Sequence, residues 1–344
     1  MPDPKSGWSS VATQKKGLIK TMTTVIAAMG IASTAQGFDL QGHRGARGLM
    51  PENTLPGFAM ALSIGVNTLE LDVGITRDGH VVVIHNPHLE PELARTADGK
   101  WIAGQGPAIY SLTLAQIKSY DVGRLNPDTG YAGRYPGQIP VDGATVPTLA
   151  EVFDLVIRSG NNDVRFNIES KLDPRFPDLS PPPDAFAGAV LKIVQQYRMQ
   201  KRVILQSFDW RMLQEVQRLA PEITTSYLTA SQSWLDNLQI DQPGPSPWLA
   251  GYDVDQYGAS VPRAIKAAGG RIWSSYYPEL TAEGVKEAHE LGLSVKVWTV
   301  NDPVDMGALI DMGVDGIITD YPDVLRDLLI NRKIAVPAPT PVTP

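Results

Sequence analysis

Two histidines, three carboxylates and two long cations stand in this chain at spacings that suit work on a phosphate ester. The segment Gln41-Gly42-His43-Arg44-Gly45 sets an imidazole beside a guanidinium, with glycine on either side to allow close backbone approach. Arginine offers a planar, permanently charged fork matched to phosphate oxygens, and histidine gives or takes a proton near neutral pH. In Glu70-Leu71-Asp72-Val73 the two acids are two residues apart, so on a strand they point the same way. Carboxylates aimed at one place repel unless a cation lies between them, and hard divalent ions such as Ca²⁺ or Mg²⁺ take oxygen ligands of this kind. A surface pair answered by nearby arginine or lysine is the plainer alternative. The segment Phe166-Asn167-Ile168-Glu169-Ser170-Lys171 repeats the pattern, with Glu169 and Lys171 on one face, a third acid for the cation and a point charge for the phosphate. His85-Asn86-Pro87 supplies the second imidazole at another strand end. Pro51-Glu52-Asn53-Thr54 is turn-like; capping the helix that begins near Leu55 is its default use, and reach toward the same place is the alternative. Trp298 either walls a carbon skeleton or fills ordinary core.

Elements that bring such residues together are legible between Phe38 and Ile330. Short apolar runs alternate there with helical patterns, as in βα units feeding a parallel sheet. Eight candidate strands span Phe38–Gly42, Thr68–Val73, Val164–Ile168, Val203–Gln206, Thr224–Leu228, Arg271–Trp273, Ser294–Trp298 and Gly316–Ile318. Helical periodicity marks Ala185–Tyr197, Trp210–Leu219, Ala282–Leu291, Pro303–Met312 and Pro322–Ile330, while Gly, Pro and Asp blur it over Ser231–Ser260. Eight such pairs predict an α/β fold, a TIM-type (β/α)₈ barrel, and the chemistry-bearing residues fall at the C-terminal strand ends where such barrels carry their sites. A further strand, His80–Ile84, follows the turn Arg77-Asp78-Gly79 closely enough to pair antiparallel with the second strand or bend off it. The irregular stretch His88–Val146 reads as an insertion after the second strand, at one mouth of the barrel. The Pro- and Ala-rich tail, 333–344, reads as disordered.

The chain has 344 residues, 43% of them hydrophobic, enough for one barrel domain over 37–332. With 19% charged residues and a net charge of −7, it lacks the basic field that nucleic-acid binding demands, so nucleic-acid partners are set aside. The absence of cysteine excludes disulfides, thiolate metal sites and cysteine nucleophiles. Lys15, Lys16 and Lys20 precede the weakly polar run Thr21 to Ser33, and the small residues Ser33-Thr34-Ala35 follow it. This pattern over 1–36 reads as an export signal, hence a periplasmic or secreted protein, with an uncleaved amphipathic extension as the alternative. The run is too short for a stable membrane span, and nothing in the sequence sets an oligomeric state.

From about Phe38 to Leu329 the chain resembles the glycerophosphodiester phosphodiesterase family of the phospholipase-C-like phosphodiesterase barrels. The likeness is carried in order by His43-Arg44-Gly45, Pro51-Glu52-Asn53-Thr54, Glu70-Leu71-Asp72-Val73, Thr76-Arg77-Asp78-Gly79, Arg95-Thr96-Ala97-Asp98-Gly99, Ile168-Glu169-Ser170-Lys171, Trp298-Thr299-Val300-Asn301 and Gly313-Val314-Asp315-Gly316-Ile317-Ile318-Thr319-Asp320. The resemblance implies His43 and His85 as the acid/base pair and Glu70, Asp72 and Glu169 as ligands of one divalent cation. It also implies Arg44 and Lys171 as phosphate contacts and Glu52 as their support. The implied reaction is metal-dependent hydrolysis of a small glycerophosphodiester to sn-glycerol 3-phosphate and an alcohol. A phospholipase-like lyase stopping at a cyclic phosphate and a non-catalytic phosphodiester-binding protein are the alternatives. Many family members carry His-Asp where this chain has His85-Asn86; asparagine brings no negative charge, so residue 86 is expected to orient His85 by hydrogen bonding alone.

Overall fold

In a computed structural model, which describes residues 37–344, each of the eight apolar runs is a strand of one closed parallel barrel. The strands are β1 (Asp39–Gly42), β2 (Thr68–Ile75), β3 (Val81–Val83), β4 (Arg165–Ser170), β5 (Val203–Ser207), β6 (Thr224–Thr229), a small hairpin of β7 (Ser231–Gln232) and β8 (Leu235–Asp236), then β9 (Ile272–Tyr276), β10 (Ser294–Trp298) and β11 (Gly316–Thr319). All but β3, β7 and β8 run parallel in the order β1-β2-β4-β5-β6-β9-β10-β11, and β11 returns to β1 with Gly42 opposite Thr319. Strand β3 pairs antiparallel with the end of β2, Val83 opposite Val73. The residues of the expected export signal, 1–36, lie outside the described residues.

Around the barrel lie α1 (Leu55–Ile64), α3 (Leu149–Arg158), α4 (Pro183–Gln196), α5 (Trp210–Leu219), α6 (Val261–Ala267), α7 (Ala282–Glu290), α8 (Pro303–Met312) and α9 (Pro322–Asn331), with the one-turn α2 (Leu114–Ile117) in the insertion. Their ends obey local chemistry. Thr54 caps α1 by accepting from the Gly57 N–H at 3.2 Å, and Gly65 ends it in the left-handed region at φ +87°. Thr148 and Glu151 form a reciprocal capping box on α3. No helix among the described residues is long and apolar enough to cross a membrane.

Strand alternation divides the core in two. Leu40, Leu69, Leu71, Phe166, Ile168 and Leu205 face the helices and are buried in the main apolar cluster. Polar residues dominate the alternate set facing the barrel axis: Asp39, Gln41, Thr68, Glu70, Asp72, Asn167, Glu169, Gln206, Ser274 and Lys296 are all buried. At the N-terminal ends of the strands, Asp39 accepts from Thr68 Oγ1 at 2.7 Å and lies 2.8 Å from Arg165 and 3.2 Å from Lys296. Burial alone would raise its carboxyl; Lys296, Arg165 and the Thr68 hydroxyl outweigh burial and bring it from 3.8 to about 2. A depressed acid stabilises the fold above its unfolded value, and that share is lost as pH falls from about 4 to about 2, roughly 2 kcal/mol. Urea titrations between pH 5 and 2 should therefore give a shallower acid slope for Asp39→Asn than for the parent chain; equal slopes would assign the acid sensitivity elsewhere.

The insertion has a small core of its own, Val82, Leu89, Ala94, Ile109, Ile117 and Val146, separate from the main cluster. The tail departs from expectation. Residues 333–344 form neither helix nor strand, yet they lie ordered along the barrel wall: Thr340 N–H donates to Leu62 O at 2.9 Å, Asn161 Nδ2 to Thr340 Oγ1 at 3.0 Å, and Arg326 to Pro337 O at 2.8 Å. Ile334, Val336 and Val342 pack on the main core. Proline bars regular structure there, but it also stiffens the unfolded chain, so an extended strap costs little entropy to dock. Over Ser231–Ser260 the blurred helical signal corresponds to the β7–β8 hairpin and a 3₁₀ turn, Val254–Tyr257, that precede the short α6.

Candidate active site

The acids at the ends of β2 and β4 converge. Asp72 lies opposite Glu169 in the β2–β4 register, and one oxygen each from Glu70, Asp72 and Glu169 falls within 4.8 Å of the others. All three are buried, at 1%, 0% and 8% exposure, so water does little to screen their repulsion. Burial, then Asp72 and Glu169, push the Glu70 carboxyl well above its usual range. Glu169 is raised by burial against the pull of Lys171. Asp72 goes the other way: burial would raise it, but His85, Lys171 and Arg44 hold it well below the carboxylate range. Its Oδ1 is buried without a hydrogen-bond donor among the described residues. A confined, all-oxygen set with an orphaned acceptor fits a hard divalent cation.

These carboxylates are held from behind. Asn53 Nδ2 donates to Asp72 Oδ2 at 2.8 Å, Gln206 Nε2 to Glu70 Oε1 at 3.0 Å, and the Arg44 N–H to Glu70 Oε2 at 2.8 Å. Arg44 and Asn53 both adopt left-handed backbone, at φ +50° and +53°, in the turn that follows β1. Asparagine tolerates that conformation; arginine there stores strain, of the kind found where surrounding structure fixes a functional group. The Arg44 side chain donates to Glu52 Oε1 at 2.6 Å, and its Nε lies 3.2 Å from Asp72 Oδ2. Glu52 also accepts from the Tyr131 hydroxyl, brought in by the insertion. Lys171 pairs with Glu169 and lies 3.5 Å from Asp72 Oδ1.

The two imidazoles are oriented through Nδ1. His43 Nδ1 meets Asp320 Oδ1 at 2.6 Å; a carboxylate only accepts, so the proton sits on Nδ1 and Nε2 is left toward Glu70, 3.9 Å from Oε2. Asp320 follows β11 and is itself gripped by Arg47 at 2.8 and 2.9 Å, Asn301 Nδ2 at 2.8 Å and the Tyr135 hydroxyl at 3.3 Å. His85, after β3, is hydrogen-bonded through Nδ1 to Asn86 Oδ1. Burial and the Arg47 charge bring His43 down to about 4 in spite of Asp320, and burial with Arg44 and Lys171 puts His85 well below its usual range.

Of the residues picked out from sequence, His43, Arg44, Glu70, His85, Glu169, Lys171 and Trp298 line one cavity of about 430 Å³. Asp72 contributes its oxygen to the acid cluster, and Glu52 reaches the cavity only through Arg44. Trp298 Nε1 donates to Ser274 O at 3.1 Å, and its ring forms part of the wall. No role was foreseen for Asp320, Arg47, Gln206, Tyr131 and Tyr135, whereas the turn Pro51-Glu52-Asn53-Thr54 both caps α1 through Thr54 and reaches the site through Asn53. A signal for Asp320 existed: it is an acid at the C-terminal end of the last strand, next to the first strand, whose histidine needs an orienting partner.

The family model for the glycerophosphoryl diester phosphodiesterase family matches residues 43–324. The chain belongs to that family. A glycerophosphodiester phosphodiesterase of Caldanaerobacter subterraneus subsp. tengcongensis is 30% identical, over 83% of this chain and 96% of the relative. Among solved structures, a putative glycerophosphoryl diester phosphodiesterase from Silicibacter pomeroyi is 40% identical with a TM-score of 0.77, covering 87% of this chain and 95% of that one. An Oleispira antarctica phosphodiesterase, solved with the product sn-glycerol-3-phosphate, shares the fold at 22% identity and a TM-score of 0.62, covering 86% of this chain and 97% of that one. The chain is thus an enzyme of phosphodiester hydrolysis on a TIM-type barrel.

Proposed function

We propose that the enzyme hydrolyses glycerophosphodiesters to sn-glycerol 3-phosphate and an alcohol, with one divalent cation, Ca²⁺ or Mg²⁺, held by Glu70, Asp72 and Glu169. The observation that carries this reading is the meeting of a buried three-acid cluster with two histidines on one cavity. Held there by Glu70, Asp72 and Glu169, a cation would supply charge neutralisation at the phosphoryl oxygens and would lower the pKa of the attacking hydroxyl. Arg44, fixed by Glu52, and Lys171 add fixed positive charge where the transition state gathers negative charge.

The proton work divides between the imidazoles by their partners. His43 Nε2 removes the proton from the nucleophile, water or the glycerol 2-hydroxyl, and Asp320 stabilises the imidazolium that forms. His85 has only the Asn86 amide behind it, so its imidazolium is the more readily deprotonated and gives its proton to the departing alkoxide. A bound phosphodiester anion offsets the Arg44 and Lys171 charges that depress His85, which lets it enter the reaction protonated. The leader-like pattern of residues 15–35 supports action in the periplasm or outside the cell.

Phosphorus NMR of the products from glycerophosphocholine tests the reading. Glycerol phosphate as the sole final product is expected. A cyclic phosphate that accumulates without further hydrolysis would assign a lyase instead, and binding without turnover a scavenging protein.

A further inference from the structure

The cavity is chemically two-sided. Strands β1 to β4 and the turns after them bring the histidines, the acids, Arg44 and Lys171. The opposite part of the barrel brings Phe208 after β5, Trp234 on the β7–β8 hairpin, and Trp298 at the end of β10; Trp298 contacts Phe208 edge-on at 5.4 Å and Trp234 at 6.1 Å between ring centroids. Phe176, Leu235 and Trp248 extend this wall. Phe176 and Trp234 are 54% and 52% exposed, the two large hydrophobics among the exposed ones of the described residues that also line this cavity. Half-exposed aromatic rims continuous with a reaction site mark a place where apolar ligand surface is covered.

The part of the wall formed by Phe176 and Trp248 is poorly suited to a cationic head group. The Arg175 guanidinium already lies over Phe176 at 5.7 Å and over Trp248 at 5.2 Å, and the carboxylate beside it, Asp173, is taken up by Arg175 at 2.6 and 2.9 Å. The indole N–H of Trp298 is spent on Ser274. An aromatic face that already meets a cation and has no unpaired acid beside it does not hold a second cation well.

Resting on the hydrolytic reading above, we propose that the preferred substrates are phosphodiesters in which one alcohol carries an aliphatic chain, and that Phe176, Phe208, Trp234, Trp248 and Trp298 form the subsite for that chain. The chemistry is unchanged: a P–O bond forms to water, the P–O bond to the alcohol breaks, and the proton lost by water ends on the released alkoxide. The chain has two possible sources, an acyl group on the glycerol or an alkyl leaving alcohol, and the assay separates them.

Steady-state rates of glycerol phosphate or acylglycerol phosphate release are to be compared for glycerophospho-n-alkanols from ethyl to octyl and for glycerophosphocholine against its 1-acyl derivatives below their micellar concentrations. In one of the two series kcat/KM is expected to rise roughly three- to fourfold per methylene until the wall is covered. A rise in the alkyl series places the chain on the leaving alcohol; a rise in the acyl series places it on the glycerol. The double variant Phe176→Ser, Trp234→Ser alters two half-exposed rim positions, so the fold is kept, and the ratio of long-chain to short-chain kcat/KM should drop about tenfold or more. Rates that are flat or falling with chain length in both series, with glycerophosphoethanol still turned over, would overturn this proposal alone. Failure of every substrate, glycerophosphoethanol included, would overturn the hydrolytic reading and this proposal with it.

Discussion

His43→Ala is expected to lower kcat by about 10²–10⁴-fold, the amount a positioned general base contributes, and His85→Ala by a similar factor for loss of the acid. The argument rests on how the rings are mounted. His43 is hydrogen-bonded at Nδ1 to an Asp320 that Arg47 and Asn301 grip independently, so removal of the imidazole leaves that carboxylate still paired. The barrel seam therefore keeps its charge balance, and the loss should appear in kcat while the thermal midpoint stays near that of the parent. Circular dichroism melts run beside the kinetics separate the two. A variant of either histidine that retains more than about a tenth of the parent rate contradicts the assigned role, because a positioned proton donor or acceptor is worth far more than that.

Exhaustive chelation is expected to abolish turnover, and Ca²⁺ or Mg²⁺ to restore it. The geometry supports this beyond counting ligands. With Glu70 pushed well above its usual range by burial and by its two acidic neighbours, the cluster without a cation binds a proton more readily than an ordinary carboxylate does, and a divalent ion competes with that proton for all three acids. Binding should therefore release protons and stabilise the folded chain, by about 2.7 kcal/mol at a hundredfold excess over Kd. The rise in thermal midpoint on titrating the chelated protein with each ion reads this without any assay of activity. Full activity after chelation, with no shift in the melt, would leave the acids to Lys171 and Arg44 and remove the cation from the mechanism.

Much of this arrangement is visible in residue order because two short-range rules produce it. Alternation along a strand puts Glu70 and Asp72 on one side, and the parallel β2–β4 register carries Glu169 to the same level, so the acid cluster follows once the strands are recognised. The βα rhythm marks the strands themselves with boundaries off by at most three residues. What short-range rules do not encode is partnership across the closed barrel. Glu52 supports Arg44 directly, and the turn residue Asn53 bonds Asp72, whereas Tyr131 and Tyr135 arrive from an insertion without periodicity. Lys171, read as a phosphate contact from its place beside Glu169, is ion-paired with that same acid, a detail set by side-chain reach rather than by spacing. The tail's composition described its backbone correctly as irregular but said nothing of the groove between α1 and α9 that receives it.

The contact between His43 and Asp320 joins residues 277 positions apart, across the line where β1 meets β11. A nascent chain acquires both imidazoles and all three clustered acids in its first half, yet the group that sets the tautomer of His43 is made almost last. Catalytic competence is in this sense a timer: it starts only when the ring shuts, after one of the longest loops among the described residues has been closed against its entropy. An unfinished or unfolded polypeptide is by the same logic chemically silent, whatever phosphodiesters surround it.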